Sequence, residues 1–328
     1  MVEFRSIFKD ELKSFLALRE TCMSDSGYKH YRCYLASFDK YLEIHCPTER
    51  RITETAINGW VSTLTGKTSS KANEIISIRM FLRYLQSLRV TVYIPIVPKV
   101  AEDYIPYIFS EAELERIFAA ADDFKVTKAQ NNPCMQIEFP MIIRLLYGCG
   151  LRVGETLALQ IKDVDLEGGI ITILHAKKDK QRLVPMDPTL TDVLRQYCMA
   201  MGIVGIPGAF LFPGGANPAK PATVRSMRNK FDVIAKNLGI ALKERDWHER
   251  GPCMHCFRHV FAFKSFAKAE RDGRPIDDSI PFLSIYLGHE SLNETEKYLK
   301  FSSEMYPEAL ELFEEYAGDV FPEVDYEQ

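Results

Sequence analysis

Three prolines fall within the stretch "YIPIVPKVAEDYIPYIF" at residues 93–109: Pro95, Pro98 and Pro106. Each removes a backbone donor and pushes the residue before it towards extended backbone, so a continuous helix cannot cross the segment. The chain therefore divides at a connector placed over 91–108. With 328 residues, 46% of them hydrophobic, both sides are long enough to bury a core.

Before the connector the period is helical throughout. Helices are expected over about 8–22, 27–45, 53–64 and 69–90, the last with Ile75, Ile76, Ile78, Phe81, Leu82, Tyr84 and Leu85 as its apolar stripe. After the connector, Ser110 and Glu113 form a capping box for a new helix. The period then changes at "IKDVDLEGGIITILHAKKDKQRLVPMD", where Gly168–Gly169 and Lys178–Lys180 mark turns between β-rich runs. Helices resume over about 188–200, 222–238, 255–270, 279–287, 292–299 and 307–316. The expected class is mainly α with a small antiparallel sheet.

A formal net charge of −4 conceals an uneven distribution. Residues 1–100 carry 15 Lys and Arg against 10 Asp and Glu, whereas residues 303–328 carry nine acids and no base. Within the first part, Lys67, Lys71, Arg79 and Arg83 lie along one helix, a natural place for phosphate contacts, although a basic run is more often a solvated face. The acidic tail has Leu310, Leu312, Phe313 and Tyr316 among its acids and is expected to seek protein rather than DNA. The start "MVEFRSIFKDELKSFL" is no secretory signal, and no apolar run reaches membrane-spanning length, so a cytoplasmic protein without membrane partners is expected. Eight scattered cysteines fit reduced thiols.

Four pieces carry chemistry. In "YGCGLRVGETLAL", Gly148 and Gly150 end one helix and Arg152 opens the next, with Glu155 three residues on. Such an arginine can aim its planar fork at a phosphate, or simply pair with the glutamate. In "HAKKDKQRLVP", Lys177, Lys178, Lys180 and Arg182 surround a hairpin turn, which is commonly basic only because it is exposed. In "CMHCFRHVFAF", His255 and Arg258 share a helix face. Cys253 and Cys256, with His248 and His259, could instead be read as a zinc site, but the ligands are crowded into twelve residues, and no metal is expected. In "YLGHESLNETEKYLKF", His289 and Tyr298 stand two helical turns apart.

Taken together, "GLRVGE", the lysine hairpin with "RLVP", "FLFP", "HCFRH", "YLGH" and Tyr298 follow an order and spacing that resemble the tyrosine recombinases of the phage integrase and Xer type, over nearly the whole length. The resemblance implies a two-domain C-shaped clamp: a helical SAM-like core-binding domain over 1–90, the linker over 91–108 and a catalytic domain over 109–302; the acidic tail over 303–328, with its apolar residues, is either a helix for docking on a neighbouring protomer or a frayed acidic end. It implies Tyr298 as the nucleophile, forming a 3′-phosphotyrosine on DNA. Arg152, Arg258, His255 and His289 then stabilise the phosphate, Lys177 (or Lys178) protonates the 5′ oxygen, and Glu155 orients an arginine. DNA contacts are assigned to Lys67, Lys71, Arg79, Arg83, Lys178 and Arg182. No cofactor, ATP or metal is implied.

The implied partner is double-stranded DNA carrying recombination sites, bound by a homotetramer on two sites that is a monomer or weak oligomer when free, with accessory proteins. The likeness to integrases of bacterial mobile elements points to integration and excision. Xer-type dimer resolution, a non-cleaving DNA-binding regulator, a type IB topoisomerase and a zinc-dependent regulator are the alternatives.

Overall fold

The computed structural model describes residues 3–23, 25–100, 106–125, 132, 134–176, 180–215, 217–240, 251–289, 291–296 and 298. Lys177, Lys178, His248 and the whole tail lie outside the described residues. The chain separates into two compact units, Met1–Glu102 and Asp103–Gln328.

The first unit is built from α1 (Lys9–Glu20), α2 (Asp25–His45), α3 (Glu54–Thr63) and α4 (Thr68–Ser87). Thr53 starts α3 by accepting the Ala56 N–H at 3.3 Å. On α4 the spacing of Ile75, Ile78, Phe81, Leu82 and Leu85 places all five inward, where they meet Leu12, Phe15, Leu35, Phe38 and Trp60 in one core. Phe38 and Trp60 pack edge to face, with centroids 5.0 Å apart.

Two details correct the reading from sequence. The first hundred residues are not helical only: β1 (Arg51–Ile52) pairs in parallel with β2 (Thr91–Val92). In addition, Val92, Tyr93, Ile94 and Val97 pack on the first core, so residues assigned to the connector belong to this unit. Arg79 explains part of this. Its guanidinium donates to the Pro95 carbonyl and ties the extended segment to α4, so part of its donor capacity is spent within this unit. Of the other cations, Lys67 and Arg83 are exposed and Lys71 is half-buried.

The second unit opens with α5 (Glu111–Asp122), started by the reciprocal Ser110–Glu113 capping box. α6 (Met135–Cys149) follows, apolar nearly all round, and packs against α5, α8 (Pro188–Ala200) and α10 (Cys256–Arg271). Between α6 and α8 come α7 (Val153–Ala158), a 3-10 turn at Ile161–Asp163, and a three-stranded antiparallel sheet of β3 (Val164–Asp165), β4 (Ile170–Ala176) and β5 (Lys180–Pro185). In its register Ile171 faces Val184 and Ile173 faces Arg182.

A second antiparallel pair, β6 (Pro213–Gly214) with β7 (Asn217–Pro221), was not legible in the sequence, so the sheet is not the single one expected. α9 (Val224–Asn237), α10, α11 (Ile276–Leu287) and α12 (Leu292–Glu296) complete the order. α12 is shorter than the expected 292–299, and Tyr298 sits in a turn. The main core gathers Phe139, Leu146, Leu211, Phe212, Phe231 and Phe257. A smaller cluster between α10 and α11 holds Phe263, Phe266, Leu283, Leu287 and Tyr298. Among the described residues, no helix is long and apolar enough to cross a membrane.

Candidate active site

Gly150 ends α6 in the left-handed region at φ 59°. A Cβ there would come within 2.6 Å of the Phe261 ring, so both conformation and space call for glycine. The turn delivers Arg152 to the N-cap of α7 in extended backbone. Glu155, one turn on, reaches back and accepts from the Arg152 backbone N–H at 3.0 Å and from its Nη1 at 2.9 Å.

The same carboxylate is gripped from β5. Arg182 donates Nη1 at 3.1 Å and Nη2 at 2.7 Å to Glu155, and its Nε donates to the Tyr286 carbonyl at 2.9 Å. Arg182 is 8% exposed. In the structure the group assigned to DNA contact shares the inward phase of β5 with Val184 and is engaged by Glu155. The period-two alternation of "RLVPM" carried that signal. Gly288, at φ 66°, is shaped by the same group, since a Cβ there would fall 2.9 Å from Arg182 Nη1.

Arg258, on α10, is buried and donates to two backbone carbonyls, Gly150 and Leu287, both at 2.7 Å. Arg152 Nη2 adds a contact of 3.5 Å to the Gly288 carbonyl. Three guanidinium groups thus converge on the C-terminal ends of α6 and α11, where helix carbonyls lack intrahelical partners and carry negative potential. One carboxylate and two helix ends hold three cations, leaving an excess of positive charge suited to an anion. Burial pulls the Arg258 pKa down to about 10, helped by the Arg152 charge, so it stays cationic at neutral pH. Burial by itself pushes the Glu155 carboxyl up, but the hydrogen bonds and charges of Arg182 and Arg152 outweigh it and hold it at about 2.

Tyr298 is 6% exposed. Its ring stacks near His289, with centroids 6.1 Å apart at 23°, and meets His259 at 5.4 Å and Phe263 at 6.2 Å. Burial raises its pKa, opposed by the charge of Arg258 and a hydrogen bond to it. His289 follows the αL Gly288, and its Nδ1 lies 2.6 Å from Thr295 Oγ1. Thr295, fully buried, also accepts the Tyr298 N–H on its carbonyl at 3.0 Å. Thr295 therefore couples the histidine to the tyrosine, a role no sequence pattern signalled. Burial and the charges of Arg258, Arg152 and Arg182 drive the His289 pKa down to about 3, so the ring is neutral. His255, the N-cap of α10, is exposed and meets His259 edge-on at 4.8 Å.

The structure thus brings Arg152, Glu155, Arg258, His289 and Tyr298 together, with Arg182 beneath them and His255 at the start of α10. Lys177 and Lys178 lie outside the described residues. Among the described residues, no group of three or more His, Cys, Asp or Glu is arranged to hold a metal, and His248 is not one of those residues.

The model of the phage integrase family matches residues 108–305. The Sinorhizobium fredii protein y4rB, whose name places it among integrases and recombinases, is 28% identical over 295 residues, covering 85% of this chain and 89% of that one. Tyrosine recombinase XerC of Myxococcus xanthus is 26% identical, covering 92% of this chain and 93% of its own. In fold, the chain is similar to the XerH site-specific recombinase bound to a palindromic difH substrate, with a TM-score of 0.65, 20% identity, and coverage of 88% of this chain and 80% of that one.

Proposed function

The chain belongs to the phage integrase family, and on that premise we propose that it is a site-specific recombinase in which Tyr298 cleaves DNA. The observation that carries the reading is the placement of the Tyr298 phenol beside Arg258, where, among the described residues, three guanidinium groups gather around one hydrogen-bonded carboxylate, that of Glu155. The phenol gives up its proton to water as its oxygen attacks the phosphorus, the bond to the 5′ oxygen breaks, and the 3′ phosphate remains on Tyr298. Arg152 and Arg258 neutralise the non-bridging oxygens as charge accumulates, with His255 and His289 as further hydrogen-bonding groups. Thr295 engages Nδ1 of His289, which leaves Nε2 for the phosphate.

Arg152, 39% exposed, is the guanidinium positioned to meet substrate from solvent, and Glu155 orients it. Lys177 protonates the departing oxygen. The phosphotyrosine ester conserves the energy of the broken bond, so a second 5′ hydroxyl reverses the step on another strand. Four protomers on two sites complete the exchange, with Lys67, Lys71 and Arg83 offered to phosphates from the first unit. We assign the reaction to integration and excision of a mobile element. The similarity to XerC favours resolution of chromosome or plasmid dimers as the second reading.

Tyr298→Phe tests the proposal on a nicked duplex that traps the covalent adduct. Duplex binding is expected to persist while the adduct disappears. An adduct formed at undiminished yield by the variant would remove Tyr298 from its role.

A further inference from the structure

Cys253 and Cys256 bracket the start of α10, and neither has a part in the reaction described above. Their sulfurs lie 3.6 Å apart, and the Cys253 N–H donates to the Cys256 sulfur at 3.3 Å. The two thiols differ in environment: Cys253 is half-buried, whereas Cys256 is 2% exposed and anchored in the main core. A hydrogen bond from Cys256 lowers the Cys253 pKa despite burial, with the backbone N–H groups of His255 and Cys256 and the charge of Arg228 acting in the same direction. Cys256 is driven the opposite way, by that shared hydrogen bond and by burial. An accessible, thiolate-forming sulfur in contact with a buried, protonated one is the arrangement that thiol–disulfide exchange requires.

We propose that Cys253 and Cys256 form a redox-active dithiol whose oxidation by a disulfide substrate switches off DNA cleavage, an inference that rests on the reading of His255 and Arg258 as phosphate-binding groups. The Cys253 thiolate attacks one sulfur of the oxidant RS–SR, forms a mixed disulfide and expels RS⁻. Cys256 gives up its proton, its sulfur attacks the Cys253 sulfur, and the second RS⁻ leaves. Two protein thiols are oxidised to one disulfide and one external disulfide is reduced to two thiols.

The consequence for the site follows from what can move. A disulfide brings the sulfurs from 3.6 Å to about 2.05 Å, and with Cys256 set in the core the half-buried Cys253 and the short link through Met254 and His255 take up the approach. Met254 is 3% exposed, and Cys256, Phe257 and Arg258 are fixed in the core, Arg258 by two carbonyls. Cys253 is half-buried and His255 is exposed, so the displacement is shared by these two and reaches His255. A misplacement of about 1 Å at a phosphate-binding group costs on the order of a hundredfold in rate.

The full-length protein, reduced and then exposed to oxidised glutathione, is assayed for adduct formation on the nicked duplex, and its thiols are mapped by alkylation and mass spectrometry. The expected result is loss of alkylation at Cys253 and Cys256 together, a fall of about a hundredfold in the rate of adduct formation, and recovery with dithiothreitol. Cys253→Ser is expected to cleave as the reduced protein does and to resist the oxidant. Continued alkylation of both cysteines, or a mapped disulfide with undiminished cleavage, overturns the proposal. Equal inactivation of Cys253→Ser assigns the effect to the exposed Cys22 or Cys33 and overturns it too. Failure of the reduced protein to form any adduct bears instead on the recombinase reading, while thiol mapping still reports on the dithiol.

Discussion

Two glutamates in the second unit, Glu155 on α7 and Glu138 on α6, are both removed from water, yet they end with opposite acidities. Glu155 receives four hydrogen bonds from two arginines and is held at about 2. Glu138 is 0% exposed; Asn132 Nδ2 donates to its Oε2 at 2.8 Å, and its Oε1 has no hydrogen-bond partner among the described residues. Burial pushes it up to about 7, only partly offset by Asn132 and the charge of Lys230. Burial is common to both, so it cannot account for the difference. The partners do, and at Glu155 one of them, Arg152, is proposed to handle the phosphate, while the other, Arg182, stays buried behind it.

Replacing Glu155 is expected to have the largest effect. Glu155→Gln leaves Arg182 buried without an anion and removes the group that aims Arg152. Breaking a buried pair in this way costs about 3–5 kcal/mol, to be read from chemical denaturation at pH 7. Adduct formation should fall with it, and Arg182→Ala should lose stability similarly without removing a group that touches DNA. If Glu155→Gln is as stable as the parent, the carboxylate is not what holds the arginines, and the two glutamates are more alike than their surroundings indicate.

Much of this contrast was invisible in the sequence for a physical reason. Local features were legible: the capping box at Ser110 and Glu113, the α4 stripe, the end of α6 at Gly150, and the hairpin of β4 and β5 all depend on neighbours within a few residues. The setting of Arg182 is not legible because its partner lies 27 residues away and its tether, the Tyr286 carbonyl, lies 104 away. The carbonyls that hold Arg258, and Thr295 behind His289, belong to the same class. A guanidinium is conspicuous in a sequence, but a helix end that will accept it is not, because every helix has one. The pairing of β1 with β2 was hidden likewise, since two residues carry too little pattern to read.

Glu138 supplies the next test, with the opposite sign. Its folded pKa lies above the ordinary value of 4.5, so folding favours the protonated acid. Its contribution is therefore fully present below about pH 4.5 and is lost as pH rises to about 7, a decline of roughly 3 kcal/mol. Glu138→Gln removes the titration. Denaturation across that range should show a flatter profile for the variant, which becomes the more stable protein above pH 7. Glu155 behaves in reverse: its contribution is present above about 4.5 and disappears as pH falls towards about 2. Parallel profiles for the parent and Glu138→Gln would erase the comparison.

Asn132→Asp makes the smallest change and the sharpest use of the contrast. Asn132 does two things: its Oδ1 accepts the Cys134 N–H at 3.1 Å, and its Nδ2 donates to Glu138. Aspartate keeps the acceptor for Cys134 but replaces the donor to Glu138 with a second carboxylate. A lost hydrogen bond and a like charge both favour protonated Glu138, so the pH at which stability levels off should move above 7. The cost at pH 8 is expected to be about 1–3 kcal/mol. Below pH 4 it should shrink towards zero, where both acids carry protons and the pair can share one. Were the loss equal at pH 4 and pH 8, it would belong to the start of α6 rather than to Glu138, and a single amide would not be what keeps this glutamate from rising further.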